Sequence, residues 1–244
     1  MRAVAGLAAI VLAAAQCICI QVAAADWLED APPDPTLLFF SGGDLWREGG
    51  FVHGGVLWSP ASLEEEGFTL KFIFGSGTYR YRSGALGDTD VIGRQLSASL
   101  MPGWRFKRPA LELTVFAGLD AQDTWLSPDD PSNDVRGTQL GLRTAFDFWY
   151  EPTRATMLAI DGSVSTIGGS YAAHAAYGWR FFNRIYLGPE AAALVSGDYR
   201  QFRLGIHATA FKTEKIELSA ALGYAQDSSD RSSAYGRISL VRRR

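Results

Sequence analysis

From Glu214 onward the chain alternates: Ile216, Leu218, Ala220, Leu222 and Tyr224 fall on one side, Glu217, Ser219, Ala221, Gly223 and Ala225 on the other. A period of two places successive side chains on opposite faces, so this segment predicts a strand with one apolar face. The segment before it does the same, with Phe202, Leu204, Ile206, Ala208 and Ala210 against Gln201, Arg203, Gly205, His207 and Thr209. Upstream, Leu140, Leu142, Thr144, Phe146 and Phe148 oppose Gln139, Gly141, Arg143, Ala145 and Asp147, and Leu111, Leu113, Val115 and Leu119 oppose Glu112, Thr114, Gly118 and Asp120. In every case the second face carries charge, amide, hydroxyl or glycine.

Extended along the chain, this reading predicts twelve strands, at 37–46, 50–59, 67–81, 89–104, 109–125, 134–150, 154–165, 169–182, 184–195, 199–211, 214–226 and 233–243. Short connections make consecutive strands antiparallel neighbours in an up-and-down meander. The connections are of two kinds. Those at 106–109, 151–154, 182–184 and 211–215 are tight and basic; those at 127–134, 196–198 and 227–231 are rich in Ser, Asp and Gly and include the longest loop. The tight set is expected on the periplasmic side and the longer, acidic set outside the cell.

The first 25 residues read as a cleaved secretory leader: Met1-Arg2, an apolar run from Ala3 to Val22, then Ala23-Ala24-Ala25 before Asp26. An uncleaved membrane anchor is the competing reading of the same run. Both cysteines, Cys17 and Cys19, leave with the leader, so the mature chain is expected to hold no disulfide and no thiolate metal site. Losing Arg2 takes the formal net charge from −3 to −4, and a balance of that sign argues against nucleic acid as a partner. Beyond the leader no stretch reaches eighteen apolar residues, which excludes a helical membrane protein. The expected organisation is a leader at 1–25, a short periplasmic segment at 26–36 and a barrel at 37–244.

Two architectures can use such strands. A soluble sandwich turns the apolar face inward, whereas an outer-membrane barrel turns it to lipid and the polar face to the lumen. Strands of ten or more residues suit tilted membrane crossings better than soluble sheets. Aromatics gather at strand ends (Phe39-Phe40, Trp104, Phe148-Trp149-Tyr150, Trp179, Phe181-Phe182, Tyr186), as interfacial girdles require. The leader directs the chain outward, and an even strand number leaves both termini on one side with no open edge. The fold expected is therefore all-β, an antiparallel up-and-down transmembrane β-barrel of about twelve strands. The ending Ile238-Ser239-Leu240-Val241-Arg242-Arg243-Arg244 departs from the aromatic terminus of many such barrels; either the arginines run past the last strand or the ending is atypical.

Several runs carry a family resemblance: Phe40-Ser41-Gly42-Gly43-Asp44-Leu45-Trp46, Gly54-Gly55-Val56-Leu57-Trp58-Ser59-Pro60, Tyr79-Arg80-Tyr81-Arg82-Ser83-Gly84-Ala85-Leu86, Pro102-Gly103-Trp104-Arg105-Phe106-Lys107, Leu126-Ser127-Pro128-Asp129-Asp130-Pro131, Trp149-Tyr150-Glu151-Pro152 and Tyr186-Leu187-Gly188-Pro189-Glu190. In this order they resemble the cellulose biosynthesis protein BcsS family of Gram-negative bacteria, across nearly the whole mature chain. The resemblance implies an outer-membrane protein associated with cellulose production. It implies no catalytic residue and no cofactor.

Taken literally, the alternation turns Glu112, Asp120, Arg143, Asp147, Asp161, His174, Arg180, Glu190, Arg203, His207 and Arg237 toward the lumen, together with Lys71, Gln139 and Glu217. These side chains either pair across the lumen as a plug of ion pairs, since enclosed charges need partners, or line a polar conduit for sugars. Trp46, Trp58, Tyr79, Tyr81, Trp125 and Trp149 are the aromatic candidates for sugar faces, each also readable as a girdle or packing residue. No serine sits in a Gly-x-Ser-x-Gly turn. Ser163 and Ser165 could meet His174 across a hairpin, although lumen Ser and His need no catalytic explanation. His174 and His207 lie on strands separated by another, without zinc spacing. The run Asp129-Asp130-Pro131-Ser132-Asn133-Asp134 lacks the glycine and glutamate of a helical calcium loop and reads as a solvated extracellular loop. The function expected is non-enzymatic, in cellulose biosynthesis and secretion, as a narrow polysaccharide conduit or a docking component. The expected partners are outer-membrane lipid and cellulose or its synthase and export complex. An outer-membrane lipid- or glycan-modifying enzyme and a soluble periplasmic cellulose-binding β-protein are the alternatives.

Overall fold

The computed structural model describes residues 35–197, 199–213 and 216–244; the expected leader and most of the segment after it lie outside them. Twelve strands follow one another: β1 Leu37–Trp46, β2 Gly49–Trp58, β3 Gly67–Ser83, β4 Thr89–Arg108, β5 Leu111–Ser127, β6 Gly137–Thr153, β7 Thr156–Ser165, β8 Tyr171–Phe181, β9 Ile185–Ser196, β10 Tyr199–Lys212, β11 Glu217–Asp227 and β12 Ser232–Arg243. Each pairs antiparallel with the next, and β1 closes on β12 from Leu38↔Arg243 to Trp46↔Tyr235. The architecture is a closed up-and-down barrel of twelve strands, as the alternation predicts. Closure gives every wall strand two neighbours, which is what backbone amides need in lipid.

The terminal arginines do not run past the last strand. Arg242 and Arg243 pair with Phe39 and Leu38, and the Arg244 carbonyl accepts from the amides of Thr36 and Leu37. The C-terminus is part of the seam.

The apolar face of the strands is the outer one. Leu119, Leu140, Leu142, Ile206, Leu222 and Ile238 are all more than half exposed, Leu140 at 83%. For a water-soluble sheet this would be an untenable patch. Near the terminal end the belt carries Phe39, Trp58, Phe68, Trp104, Phe106, Trp179 and Phe181; toward the far end it carries Trp125, Tyr171 and Tyr224. Ten residues separate Trp104 from Arg94, which pairs with Trp125 on the neighbouring strand. At roughly 3.4 Å per residue and a tilt of about 40° this spans about 26 Å, the height of an outer-membrane apolar band.

Some positions depart from the simple alternation. A bulge between Ala208 and Phe211, with Ala210 at φ 64°, reverses the parity of β10 near its end. Ala210 is therefore buried inside and Phe211 exposed outside, although alternation places Ala210 on the outer face. Trp149, expected both in a girdle and as a lumen candidate, and Tyr186, expected in a girdle, follow the parity of Asp147 and Glu190 inward and meet edge to face at 6.0 Å. Trp58 and Trp125, expected as lumen candidates, stand exposed on the outside.

Candidate functional site: the barrel interior

Cross-strand partners share a face, so the register alone gathers the expected polar residues. Asp147 pairs with Thr114 and Asp161, Asp161 with His174, and Ala192 joins His174 to Arg203. Contacts between strands that are not neighbours identify this face as the interior, because only a lumen lets them meet.

The midsection holds three charge networks. Asp120 is fully buried and accepts hydrogen bonds from Ser99 Oγ at 2.7 Å, Ser165 Oγ at 2.6 Å and Arg143 Nη2 at 2.9 Å. Lys71 of β3 reaches Asp147 of β6 at 2.7 Å, its ammonium 4.7 Å from the Phe116 ring centroid and 5.6 Å from that of Phe40. Glu190 of β9 accepts from Tyr235 Oη at 2.6 Å and from Arg237, both on β12, and lies 3.5 Å from His174, whose other ring nitrogen is 2.8 Å from Asp161.

Three further expected residues are held near these. Arg203 of β10 donates to Asp44 of β1 at 2.7 Å, with Trp46 and Tyr235 rings at 4.9 and 5.4 Å. Arg180 donates to Glu151 at 3.2 Å and to the Tyr186 hydroxyl. His207 contacts Thr209 at 2.8 Å and the Tyr177 carbonyl at 3.2 Å. Each ion is thus offset by a counter-ion or hydrogen-bond partner, the condition for enclosing charge at tolerable cost.

Both ends are occupied. At the terminal end the connection over residues 59–66, which belongs to neither kind read from the sequence, folds inward. Leu63 is 2% exposed against Leu57, Met101 and Phe116, its amide bonds the Pro35 carbonyl, and its carbonyl accepts from Arg105. Arg105 also lies 3.3 Å from Glu112, which shares Lys107 with Glu64. The Lys107 ammonium holds the Glu64 carboxyl below its ordinary range against the opposing effect of burial.

At the far end the acidic loop after β5 is not simply solvated. Asp130 and Val135 are fully buried, and Asp130 accepts from Tyr81 Oη at 2.8 Å and from Ser132 Oγ at 2.6 Å. Burial pushes the Asp130 carboxyl up, but hydrogen bonds from Ser132, Ser83 and Tyr81 outweigh it and bring the pKa to about 2. Beneath it Tyr79 of β3 meets Tyr199 of β10 with ring centroids 5.2 Å apart. Those strands stand five places apart in a ring of twelve, so nearly opposite walls touch. A Cβ on Gly93 would lie 2.5 Å from the Tyr79 ring; glycine there lets the ring lie against the wall.

A cavity of about 230 Å³ remains against β5 to β7, lined by Glu112, Asp147, Trp149 and Asp161. The hydroxyls weighed as nucleophiles point elsewhere than His174: Ser165 is bound to Asp120 and Ser163 accepts from Arg143 at 3.2 Å. Sequence reasoning missed Asp44, Arg105, Asp130 and Leu63. Arg105 falls one residue past the predicted end of its strand, and nothing local distinguishes an inward-folded loop from a solvated one.

Among solved structures the chain is similar to an outer membrane channel from Pseudomonas putida F1, 12% identical over 88% of this chain and 97% of that one, with a TM-score of 0.56. It is also similar to the deltaS2S3 mutant of the TodX monoaromatic hydrocarbon channel, 10% identical over 86% and 90% of the two chains, with a TM-score of 0.52. At such identity the likeness concerns the fold alone. No curated protein sequence matches the chain. The family model of the cellulose biosynthesis protein BcsS matches residues 38–244, the whole barrel but for its first residue, and the chain belongs to that family.

Proposed function

We propose that the chain is a non-enzymatic outer-membrane barrel that serves bacterial cellulose biosynthesis as a closed docking component. The tight turns and both termini would face the periplasm, where a cellulose synthase or export complex could engage them. The family supplies the link to cellulose, and the apolar band of about 26 Å supports the membrane location.

The observation that favours docking over conduction is the contact of Tyr79 with Tyr199 across the far end, backed by the ion pairs beneath and by Leu63 at the terminal end. Barrels of about eight strands fill with side chains, while those of sixteen or more leave an aqueous channel. Twelve strands permit either outcome, and here aromatic and paired ionic side chains occupy the bore.

Cell fractionation with heat-modifiable gel mobility tests the location: the protein should stay with the outer membrane and migrate faster unheated. In planar bilayers the wild-type protein should conduct little, with no response to cello-oligosaccharides. A steady conductance that such sugars block would replace docking by a conduit. Substituting His174 and His207 together should leave cellulose output intact if no enzyme chemistry is involved.

A further inference from the structure

One charged patch lies outside the lumen networks. On the outer face of β3, Thr78, Arg80 and Arg82 follow one another at alternate positions, and Arg94 faces them from β4 with Trp125 opposite it on β5. Thr78 pairs with Arg94 and Arg80 with Ile92, so Arg80 and Arg94 are diagonal neighbours, about 7 Å apart. All three arginines are exposed. Arg94 makes no ion pair among the described residues; Arg80 stands 3.7 Å from Glu48 and Arg82 4.0 Å from Asp90, and both carboxylates also serve Arg231. Arg47 adds a fifth cation 3.6 Å from Glu48. Asp88 in the hairpin turn, Asp123 two residues before Trp125, and Asp227 and Asp230 in the turn that carries Arg231 are further acids of these segments, and among the described residues none is ion-paired to these arginines. On the outer face of β3 to β5 at this level three arginines, Arg80, Arg82 and Arg94, stand with two acids, Asp90 and Asp123, although the whole chain is negative.

Height sets the kind of ligand. Arg94 stands level with Trp125 at the upper limit of the apolar band, and directly below it on the outer face are Leu96, Leu100, Phe72 and Phe74, all exposed. Two guanidinium groups at this spacing with a hydroxyl between them can grip one phosphate by charge-assisted hydrogen bonds, and the apolar slope beneath suits acyl chains. We propose that Thr78, Arg80 and Arg94 bind the phosphate of an outer-leaflet glycolipid headgroup, whose acyl chains lie on the apolar face below. The inference rests on the outer-membrane reading and goes beyond it by naming a lipid site.

The test titrates full-length protein in neutral detergent with lipopolysaccharide, dephosphorylated lipopolysaccharide, phosphatidylglycerol and inorganic phosphate, reading bound lipid by native mass spectrometry. With both charge-assisted contacts to the phosphate lost, R80Q/R94Q should bind lipopolysaccharide about thirty-fold more weakly than wild type. R154Q/R184Q, on the opposite rim, should bind as wild type does, and dephosphorylated lipid should lose the difference between wild type and R80Q/R94Q. Equal binding by wild type and R80Q/R94Q overturns the site. Phosphatidylglycerol held as tightly with the same dependence on arginine overturns the glycolipid, and competition by inorganic phosphate alone overturns the lipid. Should R80Q/R94Q lose its heat-modifiable mobility, R94Q alone decides, since Arg94 holds no ion pair among the described residues. A protein absent from the outer membrane refutes the underlying reading, whereas a membrane barrel indifferent to these substitutions refutes only the lipid site.

Discussion

Replacing Asp120 by alanine tests whether the interior is held together by its ion networks. The carboxylate is fully buried and accepts three hydrogen bonds, from Arg143, Ser99 and Ser165. Alanine leaves the Arg143 guanidinium, 23% exposed, without its counter-ion and strands two hydroxyls. Breaking one partner of a buried pair costs about 3–5 kcal/mol, mostly from the charge left behind. D120N preserves shape and can still accept from one serine, but turns an amide donor toward a cation, so about 2 kcal/mol is expected. D120L/R143M removes both charges and should recover most of the loss. The assay is equilibrium urea unfolding of protein folded in micelles, followed by tryptophan fluorescence, with gel mobility reporting closure. Stability of D120A within about 1 kcal/mol of wild type would refute the reasoning, because the interior would then be wet enough to solvate Arg143.

Leu119 lies on the outer face between the two aromatic levels, 66% exposed; L119R should cost about 2–4 kcal/mol in a bilayer and far less if the face meets water, as refolding in vesicles would reveal. Leu63 anchors the inward loop, and L63A should cost about 2–4 kcal/mol and expose residues 59–66 to protease in intact barrels. The folded Asp130 carboxyl has a pKa of about 2 against an ordinary 3.8; a depressed carboxyl stabilises above its unfolded value and loses that contribution as pH falls through the folded one. The loop should therefore stay docked above about pH 4 and loosen toward pH 2 by hydrogen exchange, and Y81F should raise the pH of release.

The twelve strands were legible because alternation is a local property: one side chain out and one in needs no knowledge of the partner strand. The same parity sent all eleven expected polar residues to one face, from Glu112 beside Arg105 to Arg237 beside Glu190. It failed at Ala210, where a bulge inserts a residue; carried on from Asp147 and from Leu119 it places Trp149 inside and Trp125 outside, as the structure does, and Trp125 was misplaced only where aromatics were chosen as lumen candidates without regard to parity.

Strand number and antiparallel order follow from the sequence itself, since periodicity and short connections leave the backbone few other arrangements, and strand length with aromatic strand ends favours the outward turn of the oily face over a soluble sheet. Which charges meet was decided only by closure. Arg203 finds Asp44 and Tyr79 finds Tyr199 because the two ends of the sheet join, which brings residues more than a hundred positions apart within contact distance. The inward folds over 59–66 and 128–136 were likewise settled in three dimensions: Leu63 and Asp130 are buried by walls contributed by distant strands, and no neighbour in the chain records that such walls exist.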